Sequence, residues 1–185
     1  LYWRKPGFTP TSMAHLTIYG PADALHDLVP ELAEDTNLSW QAVQAGDQWS
    51  TGRYEIAALP GTNGGGSLEP LVYVIAEGDR RLFYATDTAP LGEPAWDLLR
   101  SIGAMDEIVL DATSGKGSGG NAHHGLGQFT QTRARMIDEG VLALDRTRLY
   151  AHHFSHNGRL THSELVEAYG RVDACVAYDG LVVTV

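Results

Sequence analysis

A single cysteine among 185 residues, Cys175, excludes an intramolecular disulfide. Its place inside the apolar run 174–178 reads it as a small core residue rather than a nucleophile. No run of eighteen apolar residues occurs and no basic-then-apolar leader opens the chain, so a membrane span is not expected and the reading is cytoplasmic. Cations are scarce: 13 Lys and Arg stand against 23 Asp and Glu, for a formal charge of −10. That balance argues against broad adhesion to nucleic acid, which rests on phosphate neutralisation by Lys and Arg. It leaves room for a small phosphorylated substrate held through metal. What is present is ordinary for a globular protein, 43 % apolar and 19 % charged, and the length suits one domain over 1–185. The chain starts on Leu1-Tyr2-Trp3-Arg4 rather than Met, which reads as a fragment or as an engineered or processed start.

Along the chain the apolar spacing predicts an alternation of strands and helices. Strands are expected at 16–19, 38–43 and 54–59, with a helix from Ala22 to about Glu34 whose Leu25, Leu28, Val29 and Leu32 recur at helical spacing. The segment 60–67 is too rich in glycine for regular structure. It lacks the following helix and lysine that a phosphate cradle requires. Runs 71–76 and 81–85 flank Glu77-Gly78-Asp79-Arg80 and read as a β-hairpin. A helix from Pro94 to about Ile102, a strand over 107–111, a helix entered through Ala122-His123-His124-Gly125, a strand over 148–152 and a helix over 161–169 follow. Strands at 174–178 and 181–185 around Asp179-Gly180 read as a closing hairpin.

Candidate chemistry gathers where apolar strands end. Three imidazoles fall within five positions at His152, His153 and His156, directly after the strand over 148–152. Neutral imidazole is the commonest metal ligand and is easily poised for acid–base work near neutral pH. Neighbours on a strand face opposite ways, so only one of His152 and His153 can face a site there. His156 and His162 read as solvent-facing. Asp87 follows the apolar Leu82-Phe83-Tyr84-Ala85, and a carboxylate so placed needs a cation, a metal or several N–H donors. It reads equally as a metal ligand or as a turn cap accepting from Thr88 and Ala89.

These motifs carry a resemblance. Leu82-Phe83-Tyr84-Ala85-Thr86-Asp87-Thr88, Ile108-Val109-Leu110-Asp111-Ala112-Thr113, His123-His124-Gly125-Leu126-Gly127-Gln128, His153-Phe154-Ser155 and Ala177-Tyr178-Asp179-Gly180 occur in the order of the metallo-β-lactamase fold. The chain is most similar to the branch holding tRNase Z and the cyclic phosphodiesterase of phosphonate breakdown, over residues 50–185. The resemblance implies an α/β fold of the four-layered αββα type and two divalent ions, Zn or Mn. Asp87 is then the bridging aspartate, and His153 the last ligand histidine. His123 is a non-ligand histidine that contacts the scissile phosphate and protonates the leaving oxygen, with His124 the fallback if the register slips by one. The implied activity is hydrolysis of a small or cyclic phosphodiester by a metal-bound hydroxide; tRNA is disfavoured, and a homodimer fits the family habit. Lactone, thioester or β-lactam hydrolysis on the same fold, or a non-catalytic scaffold role, are the alternatives. Two departures stand out. The family's His-x-His-x-Asp-His is absent, its proper place falling just upstream of Leu1. A family ligand histidine after the strand at 54–59 is replaced by Thr62-Asn63, and an amide is a poor metal ligand.

Overall fold

The computed structural model describes residues 15–24, 38–63 and 69–185, in two compact units, Leu1–Gln44 and Ala45–Val185. In the first unit, β1 (Leu16–Gly20) and β2 (Leu38–Ala42) pair in parallel, Leu16 opposite Leu38 and Gly20 opposite Ala42. Gly20 is needed for space, since a Cβ there would stand 2.8 Å from the Trp40 ring. Residues 22–24 are helical; the rest of the helix expected to about Glu34 lies outside the described residues, as does most of the glycine-rich segment after Asn63.

The second unit is built on a seven-stranded sheet. Its strands are β3 (Gln48–Thr51), β4 (Tyr54–Pro60), β5 (Leu71–Glu77), β6 (Arg80–Ala85), β7 (Glu107–Asp111), β8 (Arg148–His152) and β9 (Cys175–Val176), adjacent in chain order. β3 to β6 form an antiparallel meander, with Gly52 and Gly78 at positive φ in its two tight turns. From β6 onward the pairing turns parallel, so a crossover must separate each pair of strands. Helices α1 (Glu93–Ile102), α2 (Leu126–Asp138) and α3 (His162–Gly170) occupy those crossovers.

Strand alternation fixes the core. Val72, Val74, Phe83, Ala85, Ile108, Leu110, Leu149 and Ala151 face the helices and are buried with Trp96 and Leu99 of α1, Phe129 and Met136 of α2, and Leu165 and Tyr169 of α3. The Trp96 indole donates to the Leu91 carbonyl at 3.1 Å beneath the Arg135 guanidinium, which lies 4.4 Å from the ring centre. Pro94 sits in the first turn of α1, and Thr161 and Glu164 form a reciprocal cap on α3.

Three expectations are corrected. The strand β3 was not foreseen, because three of its four residues are polar and a lone Trp49 gives no alternation. The closing hairpin does not form: after Ala177 donates to the Ala151 carbonyl, the chain turns at Tyr178–Leu181, and residues 181–185 join no sheet, with Val182 86 % exposed. An apolar run makes a strand only where a ladder partner exists, and here the Thr184 carbonyl is taken instead by the Arg148 side chain. Cys175 is exposed rather than in the core, because the two-residue β9 turns Ala174 inward and Cys175 outward.

Candidate metal centre

Parallel strands with helical crossovers leave a crevice at their carboxyl ends, and β6, β7 and β8 each end there in a polar side chain. Asp87 follows β6, Asp111 closes β7, His123 precedes α2 and His153 follows β8. One ligand atom from each of these four residues lies within 4.8 Å of all the others. His123 Nδ1 is 3.4 Å from Asp111 Oδ2 and 3.6 Å from Asp87 Oδ1, and His153 Nδ1 is 3.2 Å from Asp111 Oδ2. The sequence-derived candidates Asp87, His123 and His153 are thus brought together.

Asp87 and His153 have φ of 53° and 66°, two of the four non-glycine residues at positive φ among those described. Such conformations cost about 1 kcal/mol or more and persist only where the surroundings over-determine them. For Asp87 the surroundings are the loop after β4. Thr62 accepts from Ala89 N at 2.6 Å and its N–H donates to Thr88 Oγ1, while the Asn63 amide donates to the Asp87 carboxylate at 2.8 Å and to its carbonyl at 3.2 Å. The turn-cap reading of Asp87 is not what is seen: Ala89 N bonds to Thr62, and the carboxylate accepts from Asn63.

Asp111 is the residue that sequence reasoning missed. It is fully buried and accepts from Thr113 N, Thr113 Oγ1 and His124 N at 3.2, 2.8 and 2.8 Å. The signal was available: a carboxylate ending a strand as apolar as Ile108-Val109-Leu110 is the same pattern that singled out Asp87. His124 is a structural histidine. Its ring is wholly buried, with Nδ1 2.7 Å from the Thr88 carbonyl and Nε2 3.0 Å from Thr132 Oγ1, and burial pushes its pKa below the ordinary value. His152 ends β8 with its Nδ1 buried and without a hydrogen-bond partner, while His156 and His162 are exposed.

Glycine gives the loop between β7 and α2 its shape. At Gly125, which caps α2, a Cβ would stand 1.8 Å from the Gly117 carbonyl oxygen; at Gly119 it would stand 1.9 Å from that of His123. The chain folds back on itself here with no room for side chains, and Gln128 ties the fold by accepting from Gly119 N and Gly125 N.

The donor set suits a divalent ion. Two carboxylates and two imidazoles are ligands for Zn, Mn or Fe. Among the described residues no Lys or Arg pairs with Asp87 or Asp111, so the carboxylates converge with only imidazoles between them. His123 Nδ1 is shut off from solvent and makes no hydrogen bond, with Asp111 Oδ2 and Asp87 Oδ1 standing 3.4 and 3.6 Å away.

Comparison with known proteins agrees with this architecture. The chain is similar to Zn(2+)-bound PqqB from Methylobacterium extorquens, at 16 % identity and TM-score 0.66 over 92 % of the chain. It is also similar to unliganded yeast PDE1, at 13 % and 0.65 over 94 %, and to a diphosphatase from the PhnP family, at 18 % and 0.63 over 91 %. It spans 65 %, 61 % and 57 % of those three chains, less than two thirds of each. No curated protein matches it in sequence. The family model for the beta-lactamase superfamily domain matches residues 4–178, nearly the whole chain, and on that match, with the metallo-β-lactamase fold described above, the protein belongs to this superfamily.

Proposed function

We propose that the cluster of Asp87, Asp111, His123 and His153 is the active centre of a metal-dependent hydrolase acting on a small or cyclic phosphodiester. Members of the superfamily are metal-dependent hydrolases. The observation that carries the reading is the convergence of Asp87, Asp111 and His153 from three successive strand ends with His123 from the entry to α2, no Lys or Arg among the described residues neutralising the carboxylates.

Asp87 and His153 would hold a divalent ion, zinc or manganese, with Asp111 within reach. The second ion of the expected pair needs ligands beyond these four. The bound metal supplies Lewis acidity toward a phosphoryl oxygen. Asp111, buried and already accepting three hydrogen bonds, keeps its Oδ2 toward His123 Nδ1 and orients that imidazole. His123 then delivers a proton from Nε2 to the departing alkoxide, a step worth about 10²–10⁴ in rate. A phosphodiester whose leaving group is an alkoxide needs that proton at its leaving oxygen. One similar structure is described as a diphosphatase, in keeping with phosphoryl chemistry.

The test is metal analysis together with hydrolysis of a cyclic alkyl phosphodiester followed by ³¹P NMR, a lactone, a thioester and a β-lactam by the zinc- or manganese-loaded protein. Turnover should be confined to the phosphodiester. His123→Ala should keep its metal and lose at least about a hundredfold in turnover, and Asp87→Ala should lose both. Turnover on acyl substrates alone refutes the substrate class, and a protein that takes up no metal refutes the metal-centre reading.

A further inference from the structure

We propose that Thr113 is a positioning residue for this centre, its hydroxyl linking the buried Asp111 carboxylate to His153 and thereby fixing which His153 nitrogen is left to bind an ion. The inference rests on the metal-centre reading of the cluster. Thr113 stands two residues beyond Asp111, itself buried, with Oγ1 2.8 Å from Asp111 Oδ2 and 2.7 Å from His153 Nδ1.

A hydroxyl has one hydrogen to give, and an ionised carboxylate can only accept. The Thr113 hydrogen therefore goes to Asp111, and the oxygen must accept from His153. That places the His153 hydrogen on Nδ1, and in a neutral imidazole the lone pair then lies on Nε2. Asp111 Oδ2, 3.2 Å from the same Nδ1, favours the same tautomer electrostatically.

The backbone holds this arrangement in place. Thr113 N donates to Asp111 Oδ1 at 3.2 Å, and the Thr113 carbonyl accepts from Ser155 N at 3.3 Å and Ser155 Oγ at 3.4 Å. Ala112 N bonds to the His152 carbonyl at 2.8 Å, so the segments after β7 and β8 are tied on both sides of His153. The hydroxyl is the hydrogen-bonding link from this segment to the ring, closer than the Asp111 carboxylate at 3.2 Å, and partners of this kind typically govern metal affinity by 10–100-fold.

Thr113→Val removes the hydroxyl while keeping the shape, and Thr113→Ser restores it. Long-range ¹H–¹⁵N NMR of the metal-free wild type should show His153 protonated at Nδ1, with Thr113→Val shifting the ring toward the Nε2–H form. Zinc titration against a chromophoric chelator should show affinity about 10–100-fold weaker in Thr113→Val and recovered in Thr113→Ser. An Nε2–H tautomer in the wild type overturns the inference; so does Thr113→Val affinity within twofold of wild type, or a Thr113→Ser as weak as Thr113→Val. If Thr113→Val does not fold, the wild-type tautomer and Thr113→Ser still decide. A wild type that takes up no zinc refutes the metal centre itself, while the NMR spectrum continues to report on the Thr113 link.

Discussion

Two glycines two positions apart should respond to alanine with opposite sign. Gly125 has φ −94° and ψ 172°, which any residue adopts, so its requirement is for space alone. A methyl there would stand 1.8 Å from the Gly117 carbonyl oxygen and 3.2 Å from Gly119 N, against about 3.4 Å for ordinary contact. The loop would have to yield by about 1.5 Å. Its backbone is anchored by Gly117 N to Ser114 O and Leu126 N to Gly115 O, both 2.7 Å, so yielding strains at least two hydrogen bonds. Overpacking of this kind, with those bonds weakened, costs about 3 kcal/mol. Gly127, in the first turn of α2, has nothing within 4 Å of its Cβ position, and Gly127→Ala should gain about 0.5–1 kcal/mol of helix propensity. At about 2–4 °C per kcal/mol for a chain of this size, Gly125→Ala should melt about 6–12 °C lower and Gly127→Ala about 1–4 °C higher. Calorimetry of the metal-free proteins checks both. A Gly125→Ala variant that melts with the wild type would refute the argument, since it would mean the loop has slack that its hydrogen bonds deny.

Asp106 is nearly buried where Arg81 N, Arg80 and Arg146 meet it. Burial alone would raise its pKa, but the hydrogen bonds from Arg81 and Arg80 and the charges of Arg146 and Arg80 prevail and hold the carboxyl below its ordinary 3.8. A depressed folded pKa gives stability that is full above the unfolded value and lost as pH falls through the folded one. Asp106→Asn should therefore destabilise by about 2–3 kcal/mol at neutral pH, and chemical denaturation should show that difference shrinking only below about pH 4. Asn63→Leu removes the amide that holds Asp87 while keeping similar bulk, and zinc titration should show about tenfold or greater weakening. Unchanged affinity would show that Asp87 holds its conformation unaided.

The parallel half of the sheet was readable because β6, β7 and β8 are short apolar runs, each bounded by turn residues and followed by a helical pattern. The hairpin of β5 and β6 was readable from Gly78-Asp79. The edges were not: Gln48–Thr51 is a strand because β4 offers it a ladder, and 181–185 is none because nothing does. The same divide runs through the site. Asp87, His123 and His153 are chemically conspicuous in the sequence, whereas Asp111 looked like the polar end of a strand. The parts played by Asn63 and Thr113 arise from contacts across 24 and 40 positions, which no local pattern encodes. His123 and His124, adjacent in sequence, part company in space, where one ring meets the carboxylates and the other meets Thr88 and Thr132.

The left-handed backbone at Asp87 and His153 bears on how such a chain can change. Selection for thermostability alone would favour glycine at both positions wherever the relief of left-handed strain exceeds glycine's entropy cost and the lost Asn63 and Thr113 hydrogen bonds, and it would erase the centre as it did so. A consensus or stability-guided redesign of this protein would accordingly rank these two side chains among the first to discard. Any gain in melting temperature on replacing them then measures how much stability the fold gives up to present two ligands from its strand ends.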